Sequence, residues 1–225
     1  MMIKLIKKII KVCLPYGIIM LIKKKRKFPG TEVYWENRYA EGGNSGAGSY
    51  NRLAYYKAEV INNFVKNNDI QNVIEFGCGD GNQLSFAYYP KYIGFDVSET
   101  AIRLCKNRFL NDKTKTFALL NEYKNDQKAE LVLSLDVIYH LIEDDIFEEY
   151  IDRLFNASTM YVIIYAYDSD DKMNFHEKPR KFTRYIRERI KGYTLLEHIP
   201  NRYPYDKNNP DNTSQSEFFI YISQK

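Results

Sequence analysis

Cysteine is scarce in this 225-residue chain: Cys13, Cys78 and Cys105 are odd in number, widely spaced and lack a C-x-x-C pair. This argues against a disulfide framework and fits a reduced, cytosolic interior. Long apolar runs are also missing. The longest uncharged stretch near the N-terminus covers residues 12–22 and is broken by Pro15 and Gly17, whereas a spanning helix needs roughly 20 apolar residues. A run of five basic residues follows it in place of a small-residue cleavage site, so no secretory leader is expected. Acidic residues are absent from positions 1–27, which hold nine of the 33 basic side chains. The remainder carries 24 basic residues against 29 acidic ones, a net of −5. A domain of that charge lacks the phosphate-neutralising surface that nucleic acids require, so no nucleic-acid partner is expected.

Apolar and aromatic residues are present in globular proportion, at 44% and 15%. A chain of this size can bury about 70% of its unfolded surface without a metal or disulfide. The expected organisation is a basic arm over residues 1–30 and one domain over residues 31–225. In the arm, Ile3, Ile6, Ile10 and Leu14 recur at helical spacing, with Lys4, Lys7, Lys8 and Lys11 elsewhere on the wheel. That pattern fits a helix lying on an anionic membrane surface, and equally one packed on its own domain or a partner.

Past Phe28-Pro29-Gly30, residues 32–40 read as a helix and residues 41–49 as a glycine-rich loop. Ser49 is the expected N-cap of a helix running to about Asn67. Strands are expected at 72–76, 91–95, 115–120, 130–135 and 160–166, with helices at 82–88, 98–110 and 143–156 between them. Ser98 offers a cap for the second of these, and the acids at 143–145 suit the first turn of the third. A helix at 179–191 and two strands, 193–199 and 216–223, complete the chain. The connection over 200–214 is rich in Pro and Asn, so the last pair should be antiparallel. Seven strands, five of them alternating with helices, predict an α/β fold with a mostly parallel sheet covered on both faces. Ligands of such sheets bind beyond the carboxyl ends of the strands.

At that place stand Glu75-Phe76-Gly77-Cys78-Gly79-Asp80-Gly81. Glycines directly after a strand let the backbone turn tightly and approach a ligand. Asn82 stands where a dinucleotide fingerprint would put its third glycine. Glu75 would repel a pyrophosphate but suits a cationic amino group, and Asp96, ending the second strand, can accept from both hydroxyls of a ribose.

These residues, with Ser134-Leu135-Asp136-Val137-Ile138-Tyr139-His140, resemble the three main motifs of class I S-adenosylmethionine-dependent methyltransferases. The resemblance covers residues 31–225 and implies their seven-stranded Rossmann-like sheet with an antiparallel last strand. It implies S-adenosyl-L-methionine as cofactor, with Gly77 and Gly79 along its amino-acid end, Asp96 on its ribose, and Asn121 and Glu122 near its adenine. Glu75, Val97 and Asp136 join that set. The front segment resembles the flap of small-molecule members, with Tyr39 and Ser49 as the implied contacts.

Methyl transfer is an in-line displacement for which the protein positions the acceptor and removes its proton. His140 is the expected catalytic residue, as base or as positioning group. Tyr139, His176 and Arg180 are the expected acceptor contacts, the last two suited to phosphate or carboxylate. No metal is assigned. Mg²⁺ on Asp136, Asp168 and Asp170 is the alternative, but the adjacent Asp-Asn pair of metal-dependent relatives is missing. His198 reads as a core or edge histidine. The motifs are similar to those of methyltransferases of bacterial surface polysaccharide assembly, which implies methyl transfer to an oxygen or nitrogen of a small or glycan-like acceptor, a polysaccharide precursor or a phosphoramidate decoration, and work near the inner membrane face. The competing readings are a protein methyltransferase, a cofactor-binding subunit without turnover, and a nicotinamide-dependent dehydrogenase.

Overall fold

The computed structural model describes residues 28–172 and 174–224. The basic arm over residues 1–27 lies outside the described residues. Among those described, no helix is long and apolar enough to cross a membrane.

Seven strands form one sheet in the order β3-β2-β1-β4-β5-β7-β6. They are β1 (Val73–Phe76), β2 (Tyr92–Asp96), β3 (Lys115–Leu119), β4 (Ala129–Leu135), β5 (Ser158–Ala166), β6 (Tyr193–Ile199) and β7 (Glu217–Ser223). β7 pairs antiparallel with both β5 and β6, and the pairings from β3 to β5 are parallel. The expected fold class is therefore the observed one.

Burial of both faces explains why the central strands read as continuous apolar runs. Leu131, Leu133 and Ile163 pack on one side with Tyr56, Ile61 and Val65 of α2 (Asn51–Asn67) and Ile102 and Cys105 of α3 (Glu99–Arg108). Val132, Val162 and Ile164 pack on the other with Ile151 and Leu154 of α4 (Asp144–Ala157) and Phe182 and Ile186 of α5 (Phe182–Arg189). Each such side chain contributes about 1.5–3 kcal/mol on removal from water.

Local signals held at some helix starts and failed at others. Ser98 caps α3 by accepting from the Ala101 amide at 3.0 Å. Ser49 caps nothing: it ends a short 3₁₀ turn, Ala47–Ser49, and Tyr50 precedes α2. The helix expected at 82–88 is one 3₁₀ turn, Gln83–Phe86. The Asn62 side chain ends it, donating to the Phe86 carbonyl and accepting from the Tyr88 amide, both at 2.9 Å. Pro90 prevents any continuation. The helix expected at 179–191 is confined to α5, because Asp168 takes both the amide and hydroxyl of Thr183 and fixes its first turn.

The candidate active site

The order of the sheet reverses between β1 and β4, and the crevice beyond their carboxyl ends is the place where such folds bind ligands. α1 (Thr31–Ala40) lies across it. Two carboxylates hold α1, one at its start and one at its middle. Glu143, just before α4, accepts from the Thr31 amide and hydroxyl at 3.1 and 2.6 Å. Glu36 accepts from Ser98 and Thr100 hydroxyls at 2.6 and 2.7 Å at the start of α3. Those bonds hold the Glu36 carboxyl below its usual range.

Beneath α1 is a cavity of about 280 Å³. Gly77 and Gly79 form its floor with φ of +86° and +57°, a region that side chains rarely occupy. A Cβ on Gly77 would collide with Val137, and one on Gly79 with the Ser45 hydroxyl. The Asp96 carboxylate is held at the wall by the amides of Gly79 and Ser98, each at 2.9 Å. Burial nevertheless pushes its pKa up to about 6. Glu75 accepts from Tyr92 at 2.7 Å and is pushed up to about 7, again by burial. Tyr39, Ser49, Val97, Asp136 and His140 also line this cavity. Burial raises the Tyr39 phenol well above its usual value.

Asn121 and Glu122 need a correction. Both are exposed, Glu122 accepts from the Leu119 amide at 3.0 Å, and the apolar Leu120 just before them stands in the cavity wall. Residues that sequence reasoning missed do more. Asp80 latches the glycine-rich flap, taking the Ser45 amide and the Tyr50 hydroxyl at 3.0 and 2.8 Å. Ser45 in turn accepts from the Asp80 amide at 3.0 Å and meets Tyr39 at 3.0 Å. Gln83, also on the wall, donates to the Ala54 carbonyl, while its buried Oε1 has no partner.

Asp136 sits at the end of β4 in a left-handed conformation, φ +59°. Fully buried Lys57 pairs with it at 2.7 Å, and Tyr139 and Ser216 donate to its other oxygen at 3.0 and 2.8 Å. Lys57 was legible as an anomaly, a cation four residues from both Leu53 and Ile61 on the apolar face of α2. With its oxygens so occupied, Asp136 does not join the acids after β5. Asp168 holds Thr183, and Asp170 takes Arg184 and the Lys181 amide at 3.1 and 3.0 Å. The three-aspartate Mg²⁺ site is not assembled.

A second cleft of about 460 Å³ adjoins the first, and Trp35, Ser45, Asp136 and His140 line both. His140 is wedged between Trp35 and His176, with ring centroids at 5.0 and 5.5 Å, and its Nδ1 lies 3.0 Å from the His176 carbonyl. A carbonyl only accepts, so Nδ1 carries the proton and Nε2 the lone pair. Burial pushes His140 down to about 4 and keeps the ring neutral. Tyr139 and His176 line the second cleft as expected. Arg180 does not. Its guanidinium is taken by the carbonyls of Leu141 and Ile142 at 2.5 and 3.1 Å and by Asp144 at 2.8 Å, over the Phe147 ring. It clamps the start of α4 rather than reaching an acceptor. His198 pairs with Glu217 on the exposed outer strand, as an edge histidine.

The glycine cradle, the two buried acids and the sheet order define a cofactor-binding α/β enzyme of the methyltransferase class. A model of the methyltransferase domain family matches residues 49–203, and the chain belongs to that family. Its cofactor is S-adenosylmethionine, which fits a floor closed to side chains and a wall bearing Glu75 and Asp96. No curated protein matches the chain. Among solved structures, the N-methyltransferase NodS from Bradyrhizobium japonicum WM9, in complex with S-adenosyl-L-homocysteine, is similar at 14% identity and a TM-score of 0.68, covering 87% of this chain and 100% of that one. Magnesium protoporphyrin IX methyltransferase from Synechocystis PCC 6803, with bound S-adenosylmethionine, is similar at 14% identity and 0.59, over 86% and 97%. The methyltransferase domain of a bacterial Hen1 is similar at 17% and 0.59, over 75% and 97%. At these identities the likeness is one of fold.

Proposed function

We propose that the chain methylates an oxygen of a small, polyhydroxylated, glycan-like acceptor held in the second cleft. The observation that carries this is the wall common to both cavities, formed by Trp35, Ser45, Asp136 and His140. A donor in one cavity and an acceptor in the other meet there. Aromatic faces of Trp35, Tyr139, Tyr167 and Tyr205, interspersed with Asn174, Ser214 and Gln215, suit the alternating apolar and hydroxyl surfaces of a sugar. Arg180 is spent on the α4 clamp, so it is not a contact for that acceptor. The motif resemblance favours a surface-polysaccharide precursor, and the basic arm then holds the enzyme at the cytoplasmic membrane face.

When bound, the cofactor supplies an electrophilic methyl group and a sulfide leaving group. Glu75 meets the cofactor's ammonium and Asp96 its ribose hydroxyls. Trp35 and Tyr139 hold the acceptor ring, and Asp136, fixed by Lys57 and Ser216, keeps Tyr139 in place. His140 offers Nε2 to the acceptor hydroxyl. A neutral imidazole that resists protonation orients this hydroxyl, and the proton passes on to water in the open cleft. The cofactor's methyl would be the group transferred to that oxygen, its sulfur leaving with the bonding pair. Positioning of this kind is the main contribution open to a protein in such a displacement.

Calorimetry with S-adenosylmethionine and S-adenosylhomocysteine tests the donor half. The wild type should bind both, and Asp96→Ala should bind at least tenfold more weakly, about 1.4 kcal/mol. Binding of a nicotinamide dinucleotide instead of either ligand would overturn the reading. Nucleotide-linked sugars are the first acceptors to screen, and methylation of protein alone would replace the glycan by a protein substrate.

A further inference from the structure

His140, on the wall common to both cavities, is joined in lining the second cleft by His176 and Glu177. One donor atom from each lies within 4.8 Å of the other two, and His176 Nε2 is 3.7 Å from Glu177 Oε1. We propose that they form a binding site for a divalent transition-metal ion at the acceptor end of the active site.

The local structure already orients the donors. His140 spends its Nδ1–H on the His176 carbonyl, leaving Nε2 as its ligand atom, the arrangement in which a backbone carbonyl sets the tautomer of a metal-binding histidine. The His176 ring stacks on Tyr34, with centroids 5.2 Å apart. The segment carrying it is tied down by the Lys178 amide on the Tyr139 carbonyl at 2.7 Å and the His176 amide on Asn174 at 3.2 Å. An ion with bonds of about 2.0–2.2 Å needs its ligands roughly 3–3.5 Å apart. The donors, within 4.8 Å of one another, close to that spacing by rotation of the half-buried His176 and Glu177 side chains. Two imidazoles and one carboxylate match Zn²⁺, Co²⁺ or Fe²⁺, whereas Mg²⁺ and Ca²⁺ prefer an all-oxygen set. Three protein ligands leave coordination positions open, and these face the cleft.

Binding of the ion stands on the cluster alone, and its role rests on the methyltransferase reading. A coordinated acceptor hydroxyl would lose its proton to cleft water at lower pH, and its oxygen would then attack the methyl carbon as above. With the ion bound, its coordination replaces the direct bond from the acceptor hydroxyl to His140 Nε2: the metal supplies the acidification, and His140 acts by holding it.

The test uses the tag-free full chain, stripped with chelator and titrated with Co²⁺ by visible absorption, with Zn²⁺ as competitor. One equivalent should bind. His176→Ala and Glu177→Gln should each weaken binding at least tenfold, with S-adenosylmethionine affinity and the unfolding temperature retained because neither residue lines the cofactor cavity. His198→Ala, at the remaining histidine of the sequence, should change nothing. Absence of stoichiometric Co²⁺ and Zn²⁺ binding, survival of binding in both variants, or its loss in His198→Ala would overturn the site. Metal binding without S-adenosylmethionine binding would overturn the methyltransferase reading and leave the metal site standing.

Discussion

The two halves of the active site are built by different means. The donor half is made of backbone: left-handed glycines, and a carboxylate, Asp96, held by two amides. The acceptor half is made of side chains from distant parts of the chain: Lys57, Asp136, Ser216, His140 and His176. A backbone cradle fixes one ligand and tolerates little change, while a side-chain wall can be respecified residue by residue. One fold can thus keep its donor and change its acceptor.

The sharpest way to break this division is at Lys57, which joins Asp136 from beneath. Lys57→Met leaves a strained, partly buried carboxylate unpaired and should cost about 3–5 kcal/mol in urea denaturation. S-adenosylmethionine affinity, measured at low temperature where the variant remains folded, should stay within a few-fold. A collapse of that affinity would mean that the halves are one unit. Arg180→Ala removes charged bonds to two carbonyls and Asp144. About 1.5–3 kcal/mol of stability should go, and cofactor affinity should fall, because Leu141 and Ile146 beside the clamp line the donor cavity and not the acceptor cleft. A raised KM for the acceptor with cofactor affinity unchanged would move the clamp to the acceptor half.

The smallest effect is with pH. S-adenosylmethionine binding requires Glu75 and Asp96 ionised, so affinity should fall as pH drops through about 7 and then about 6. Between pH 8 and 6, Glu75 alone should weaken it by about tenfold. Stability of the free protein runs the other way. Both carboxyls have folded pKa values above their unfolded ones, so their contribution is full below the ordinary carboxylate range and is lost as pH rises through about 6 to 7. Parallel calorimetry and thermal melts should show the two trends crossing. Affinity flat with pH would remove both carboxylates from the donor contacts.

The same contrast explains what the sequence made legible. The donor half could be read because Glu75, Gly77, Gly79 and Asp96 follow strand ends at short spacing, and strand periodicity located those ends. The acceptor half could not, because no local pattern tells that Lys57 meets Asp136 or that Ser216 joins them. Arg180 misled for a related reason: its chemistry suits phosphate, but only the fold brings the Leu141 and Ile142 carbonyls to it. Asn121 and Glu122 misled by one position, since Leu120 is the residue that the short turn after β3 points at the cavity.

The position of β7 has a consequence for how the molecule assembles. Among the described residues β6 pairs only with β7, and β7 lies between β6 and β5. During synthesis β6 emerges first and must wait, without a neighbour, until the later strand fills the gap. Ser216, just ahead of β7, delivers its hydroxyl to Asp136 in the same event. The acceptor floor and the sheet edge are therefore completed together, by late, long-range pairing of the kind that slows folding. A nascent chain that has made its donor cradle is still unable to hold Asp136 in its final network, which closes when β7 joins the sheet.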